Sequence, residues 1–545
     1  MSTKSPALVL VILAGCHSSS DSDPAPEPVS LVLNLGVAAE RLYGAGEQRL
    51  VAVSEEGEGR DLDGDGDTTD VVLHLLGLEH AALANTALAF PRRFARDEVP
   101  PPEFGCNDAL AVFQVSEEET GRDLDGSGFA DGVATWVLNW RTGLSRMPFA
   151  HSVLALGGDI AAFLTVDEAG QSGLQVYDGR DDSLTALPLE PSALLAVQDG
   201  IVAFTRAEEG VSDLNADGDA TDFNVLHLLD VDSGRVVNSS FAIVPFTLRI
   251  QDGFAGFSVA EHENGGLDLN GDGDAVDAVF VAVEARNGLT RIPGFTGALV
   301  LDLPNPDANG FLLTLFEQDL DRNGDGDTSD LVALFYEPRS DRIVDTALAV
   351  SGFPPVQAGA WIGVPVGELD QGELDLDGDG RIESIVPHVF DTRTGRSVNL
   401  GFRGHWLAAL EEQLLGVRLV IDFDVVLEVE LFAWDPRALV VRRTGVDASS
   451  VLGSSGDRAL VVASETTQDL NDDGDMLDLV LAIYEGRTGM VRSLRVATSV
   501  SQGGLAPGGK AAVLVSEQGQ GADLNGDGDQ VDQVLHQIFL DAPLQ

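Results

Sequence analysis

Apolar, β-branched runs alternate along this chain with short Gly-containing turns and Asp-rich loops, a pattern of hairpins. One unit reads in full from Ala193. Residues 194–197 form a strand, Gln198-Asp199-Gly200 a turn, and residues 201–205 a second strand that ends near Glu208. A loop opens at Asp213, residues 225–229 form a third strand, Asp232-Ser233-Gly234 turns, and residues 235–239 form the fourth. Four short strands per unit predict a propeller blade. The second turn recurs as Arg141-Thr142-Gly143, Arg286-Asn287-Gly288, Arg393-Thr394-Gly395 and Arg487-Thr488-Gly489, where Gly supplies the left-handed conformation of a tight turn.

The loop between the second and third strands is the repeating signal. Its full form occupies residues 61–70 (DLDGDGDTTD), 213–222, 268–277, 321–330, 469–478 and 523–532, and eroded copies begin at Asp123 and Asp375. Successive loops start 62, 90, 55, 53, 54, 94 and 54 residues apart. The two long gaps predict repeats that have lost the loop, at residues 152–189 and about 405–444, which brings the count to ten. The last unit reaches only a third strand, residues 533–540, while residues 31–35 have the character of a fourth strand without an owner. Pairing of the two would close a ring and remove exposed edges. The expected fold is therefore all-β, a β-propeller of about ten four-stranded units, closed by the N-terminal strand. A single large ring, two smaller propellers, or eight blades with two decorations all satisfy the pattern.

A chain of 545 residues with 44% apolar residues and 61 Gly is too apolar for disorder and too rich in Gly for a helical bundle. Its formal net charge is −57, from 32 Lys+Arg against 89 Asp+Glu, which repels phosphate backbones and argues against nucleic acid as a partner. Even six bound divalent cations would leave the protein strongly acidic, which suits solubility at a cell surface.

The first residues carry an address. Lys4 is a minimal basic region, residues 7–14 a short apolar one, and Leu13-Ala14-Gly15-Cys16 a small-residue cleavage site ending in Cys. This resembles the bacterial lipobox. The resemblance implies cleavage after Gly15, lipidation of Cys16, a signal peptide over 1–15, and export to the cell envelope. His17 rather than Asp follows the Cys, which by resemblance to enterobacterial sorting points to the outer membrane. Residues 16–30 are polar and Pro-rich and read as a tether, leaving 31–545 for the propeller. Cys106 is the only other cysteine, so an exported protein without an intrachain disulfide needs another staple.

Metal is the obvious staple. Ca²⁺ takes six to eight oxygen ligands, and an Asp-rich loop with alternating side chains turned inward supplies them. The candidate ligands are Asp61, Asp63, Asp65, Asp67 and Asp70; Asp213, Asn215, Asp217, Asp219 and Asp222; and Asp268, Asn270, Asp272, Asp274 and Asp277. They continue with Asp321, Asn323, Asp325, Asp327 and Asp330; Asp469, Asn471, Asp473, Asp475 and Asp478; and Asp523, Asn525, Asp527, Asp529 and Asp532. Asp375, Asp377 and Asp379 make a weaker seventh, with Arg381 at position 7, Ser384 at position 10 and Glu383 as a substitute ligand. In the copy at Asp123, Asp125, Ser127 and Phe129 two carboxylate positions are gone. The first six positions resemble an EF-hand or dockerin loop, but no Glu stands at position 12. The loop as a whole is more similar to the FG-GAP calcium hairpins of integrin-α-type propellers, although its final Asp lies one residue further on and the Phe-Gly-Gly-Ala-Pro signature is missing. The resemblance implies Ca²⁺ at about six sites with affinities near 10⁻⁴ to 10⁻³ M, as in extracellular modules generally. Glu55, Glu117, Glu208, Glu261, Glu317, Glu465 and Glu517 precede the loops, either as distal ligands or as hydrogen-bonding groups that order the strand end.

The sequence has no HExxH, nucleophile elbow or Walker loop, and no catalytic residue can be named. His74, His227, His388 and His536 each fall in the strand after a loop, a repeat position that reads as packing. Trp136, Trp140, Trp361, Trp406 and Trp434 read as blade core in preference to a sugar-stacking face. The expected function is a calcium-stabilised, lipid-anchored surface propeller that binds a protein or glycan or serves as a scaffold. The alternative is a surface carbohydrate-active hydrolase or lyase on the same framework, with two convergent carboxylates in a polar funnel.

Overall fold

A computed structural model describes residues 29–44, 47–90, 104–124, 128–147, 153–166, 170–208, 212–244, 246–301, 309–317, 320–422, 425–466, 469–498, 503–506 and 508–542. The expected signal peptide, Cys16 and the expected tether up to residue 28 lie outside the described residues, as do Asp125 and Ser127. The first strand is Val29–Tyr43, so it begins two residues inside the stretch read as tether. Among the described residues no helix is long and apolar enough to cross a membrane.

The protein is all-β, and its repeating element is the four-stranded antiparallel meander of a propeller blade. The chain divides into two compact units. Unit 1 draws on Met1–Pro148, Val429–Ala433 and Arg442–Gln545. Its largest sheet has seven strands, in the order Gly503–Ala506, Lys510–Ser516, Gln533–Ala542, Val29–Tyr43, Gln48–Ser54, Val71–Gly77 and Ala82–Ala89. The central strand serves two repeats. Its first half pairs with the C-terminal strand, Leu31 opposite Phe539 and Leu33 opposite Gln537, and its second half pairs Leu42 with Val51 and Tyr43 with Leu50. The expected pairing of the ownerless strand with the last unit is therefore present. Two further four-stranded groups complete unit 1. One is Gly105–Cys106, Leu110–Ser116, Val133–Asn139 and Gly143–Arg146; the other is Val440–Ser455, Arg458–Ser464, Leu479–Glu485 and Met490–Ala497.

Unit 2 draws on Phe149–Glu428 and Trp434–Val441 and contains five four-stranded sheets in chain order. The first, Val153–Gly157, Ile160–Val166, Ser172–Asp178 and Ser183–Leu187, is the predicted loopless repeat. The second is the repeat read from sequence, with observed strands Ala193–Gln198, Ile201–Arg206, Val225–Asp230 and Arg235–Ala242. Strands Gly404–Ala409, Leu414–Asp422 and Val425–Asp435 mark the other loopless repeat, and the last of these supplies residues to both units. Among the described residues, four repeats in unit 1 and six beginning in unit 2 recover the count of ten.

Burial explains why the middle strands read so clearly. Val225–Asp230 is buried at every position, whereas the fourth strand Arg342–Ala349 alternates between exposed and buried. Middle strands are covered on both faces because each core cluster joins two consecutive sheets. Ile201, Leu228 and Val237 of one sheet pack with Phe257, Val281 and Val283 of the next. In unit 1, Leu50 and Leu73 pack in the same way with Phe113 and Leu138. Each such side chain contributes about 1.5–3 kcal/mol by leaving water, so sheet stacking is the main source of stability.

Candidate metal centre

Each loop is framed by the end of the second strand. In three repeats a Ser closes that strand and caps a single helical turn: Ser54 before Glu55–Glu58, Ser116 before Glu117–Thr120 and Ser516 before Glu517–Gln520. The hydroxyl accepts from the N–H three residues on, and a left-handed Gly59, Gly121 or Gly521 ends the turn. The Glu that follows the strand is buried and faces the loop. Glu55 accepts from the N–H of Leu62 (2.5 Å) on one oxygen and of Asp70 (3.1 Å) on the other. Glu517 does the same with Leu524 (2.6 Å) and Asp532 (3.1 Å), and Glu261 with Leu269 (2.6 Å) and Asp277 (3.1 Å). One carboxylate thus clasps the second and tenth positions of a loop, which orders the strand end by hydrogen bonding, while Glu55, Glu208 and Glu465 also keep an oxygen within 4.8 Å of loop carboxylates. Sequence reading missed Glu368, which clasps Leu376 (2.7 Å) and Ser384 (2.8 Å) in the same manner. Its signal was available, because it stands seven residues before Asp375 just as Glu261 stands seven before Asp268.

Within the loop, the first Asp folds the chain over itself. Asp268 accepts from the N–H of Gly271 (2.6 Å) and of Gly273 (3.1 Å), and Asp321, Asp375 and Asp523 repeat the pair. Positions 3, 5 and 7 each accept from the N–H two residues on, as in Asn270, Asp272 and Asp274. These bonds hold the side chains on the inside of the turn. Ligand oxygens of Asp63, Asp65 and Asp70 then lie within 4.8 Å of one another, as do those of Glu465, Asp473, Asp475 and Asp478, and those of Glu208, Asp219 and Asp222. Such clusters could hold a metal ion.

The crowding has an electrostatic consequence. Burial, and then the charge of neighbouring acids, pushes Asp63, Asp222 and Asp532 up to about 6, and burial, then a hydrogen bond shared with Asp325 or Asp473, pushes Asp330 and Asp478 likewise to about 6. A cation in the loop removes that penalty. The residues fit one: the donors are all oxygen, and Asp63 has a buried Oδ2 with no hydrogen-bond partner.

Where position 3 is Asn, its amide bridges the loop instead. Asn215 donates to Asp222 (2.7 Å), Asn270 to Asp277 (2.9 Å) and Asn525 to Asp532 (2.9 Å). The same amides reach the turn of the following repeat. Asn323 donates to the carbonyl of Asp370 (2.8 Å), Asn471 to that of Gly519 (3.2 Å) and Asn525 to that of Gly57 (3.3 Å). Small residues make room for this seating: a Cβ at Gly372 would stand 2.7 Å from the Cβ of Asp325. The eroded Asp123 loop keeps its clasp, Glu117 to Leu124 (2.6 Å) and Gly132 (2.9 Å), but Gly132 has no side chain at position 10 and Phe129 is exposed.

The four histidines are packing groups. Each is buried and bonds through Nδ1 to the carbonyl two residues earlier, at 3.0–3.2 Å, and burial lowers its pKa. Opposite them on the neighbouring strand stand Asn85, Asn238, Asn399 and Asn34, which sequence reading did not single out. They tie down the loop by donating to the carbonyls of Leu62, Leu214, Leu376 and Leu524 at 2.7–2.9 Å. Trp406 and Trp434 are buried, and Trp361 packs edge-on against Trp434 at 6.3 Å. The core reading of the tryptophans holds for these three.

No protein-family model and no curated protein sequence matches the chain. Among solved structures it is similar to the tricorn protease (12% identity, 90% of this chain and 58% of that one, TM-score 0.27). It is also similar to the β-propeller domain of the Trilobed protease from Pyrococcus furiosus (11% identity, 62% of this chain and 94% of that one, TM-score 0.30). An oligogalacturonate lyase in complex with manganese matches at 11% identity over 71% of this chain and 98% of that one, with a TM-score of 0.28. At these TM-scores the likenesses add nothing to the strand pairing, on which the fold rests.

Proposed function

We propose that this protein is a calcium-stabilised, lipid-anchored propeller of the bacterial cell envelope, held at the outer membrane through Cys16, and that it presents a binding or scaffolding surface to a protein or glycan. The observation that carries the metal part is the crowding of loop carboxylates around a buried, partnerless oxygen of Asp63. Calcium is favoured over softer metals because every donor is oxygen and the loop spacing permits a shell of six or more. Bound calcium would rigidify the loops and so preorganise the surface they support. Among the described residues the enzyme alternative has no comparable support. Among the described residues, clefts of about 200 Å³, between Asn270 and Arg322, and about 290 Å³, around Glu190, lie below the roughly 300–1,000 Å³ of common ligand pockets. Thermal melts with calcium and with EGTA test the reading. A marked fall of Tm on chelation is expected, and an unchanged Tm would overturn it.

A further inference from the structure

We propose that the Asp375 loop holds a divalent cation at lower affinity than the six full loops, with the hydroxyl of Ser384 completing a shell begun by Asp375, Asp377 and Asp379. This rests on the calcium reading of the full loops. By carboxylate count the loop is degraded, with Arg381 at position 7 and Ser384 at position 10. Its backbone is not. Glu368 is fully buried, accepts from Leu376 (2.7 Å) and Ser384 (2.8 Å), and donates its own N–H to the Ser384 carbonyl (3.1 Å). The clasp matches that of Glu55 on Leu62 and Asp70, including the bond from Glu55 N–H to the Asp70 carbonyl (2.9 Å). Asp375 accepts from Gly378 (2.7 Å) and Gly380 (3.0 Å), Asp377 from Asp379 (3.1 Å), and Asp379 from Arg381 (2.7 Å), as in the full loops.

A position 10 held in this frame aims its side chain into the loop, toward position 3. Ser384 is 2% exposed, and its Oγ has no hydrogen-bond partner. A buried hydroxyl left unpaired costs about 1–3 kcal/mol, a penalty that a cation coordinated by this oxygen would remove. Arg381 does not obstruct, because its side chain is exposed, and the carbonyl at position 7 can stand in for the carboxylate that the full loops offer there. Glu383, expected as the substitute ligand, is exposed, and the buried oxygen belongs to the next residue. Three carboxylates, a hydroxyl and a carbonyl form a usable oxygen set with less charge than the four or five acids of a full loop. Such a site fills only after the others, so it reports abundant calcium where the full loops serve as staples.

Calcium titration of the full-length chain by calorimetry tests this, with calcium alone as the probe. The parent should show one weak site beside a tighter class. Ser384→Ala should weaken that site about tenfold or more, and Ser384→Asp should shift it into the tighter class. No weak site in the parent, or a weak site untouched by both Ser384→Ala and Asp377→Asn, would overturn the inference. Loss of the tighter class in the parent would instead overturn the calcium reading itself.

Discussion

Replacing Glu517 with Gln tests the clasp. The variant keeps the shape of the side chain and one acceptor, so the bond from Leu524 N–H (2.6 Å) survives. The other oxygen becomes an NH₂ group facing the N–H of Asp532, which now donates at 3.1 Å. Two buried donors are left opposed without an acceptor, at about 1–3 kcal/mol each, and loss of one charge near Asp532 offsets part of this. The expected net cost is about 2–4 kcal/mol. Glu317→Gln is the internal control. Its Oε1 accepts from Arg322 and Asn323 N–H, while its Oε2 is buried with no partner, so an amide there displaces no existing bond. That variant should cost less than about 1 kcal/mol, the range of an undisturbed hydrogen bond. Urea unfolding of the full chain, followed by tryptophan fluorescence, measures both. Equal costs for the two variants, or a Glu517→Gln protein within experimental error of the parent, would refute the clasp as the element that holds the loop.

Further outcomes are expected from the same geometry. Asp478 and Asp532 titrate near 6 in the folded chain, above the unfolded value of about 3.9, so the stability they contribute when protonated is present at pH 4 and lost as pH rises through 6. Asp478→Asn should therefore raise Tm in EGTA at pH 7 and leave it unchanged at pH 4, as read by calorimetry. His536 has the opposite sign: burial lowers it to about 4, so its neutral-form stability is present above the unfolded value of about 6.5 and lost as pH falls toward 4. His536→Gln should flatten the acid side of a plot of Tm against pH; an unchanged slope between pH 6.5 and 4 would argue against a buried neutral ring. Gly372→Ala places a Cβ 2.7 Å from that of Asp325 at a φ of +82°, and should cost about 2–4 kcal/mol in chemical denaturation.

Strands such as Ile201–Arg206 and Val225–Asp230 were legible because they are covered on both faces and so read as unbroken apolar runs. Short first strands such as Gly105–Cys106 and Leu299–Val300 were not, since two residues carry no period. The loop ligands announced themselves through Asp spacing. Glu368 was legible only through its spacing, seven residues before Asp375, since its partners Leu376 and Ser384 offer backbone N–H groups that leave no trace in residue type. The bridges from Asn471 and Asn525 to Gly519 and Gly57 were hidden for another reason: they depend on which repeats stack, and residues 57 and 525 meet only in three dimensions.

The strand Val29–Tyr43 sets a timetable for synthesis. Leu42 and Tyr43 find their partners Val51 and Leu50 within a few residues, but Leu33 pairs with Gln537, near the other end of the chain. At about 5–20 residues per second, a growing chain takes on the order of half a minute to two minutes to deliver that partner. Through that interval the first half of the strand is a bare template for any passing β-segment. Its final pairing is the most non-local among the described strands and should be among the last to form, after the repeats between have folded on their neighbours.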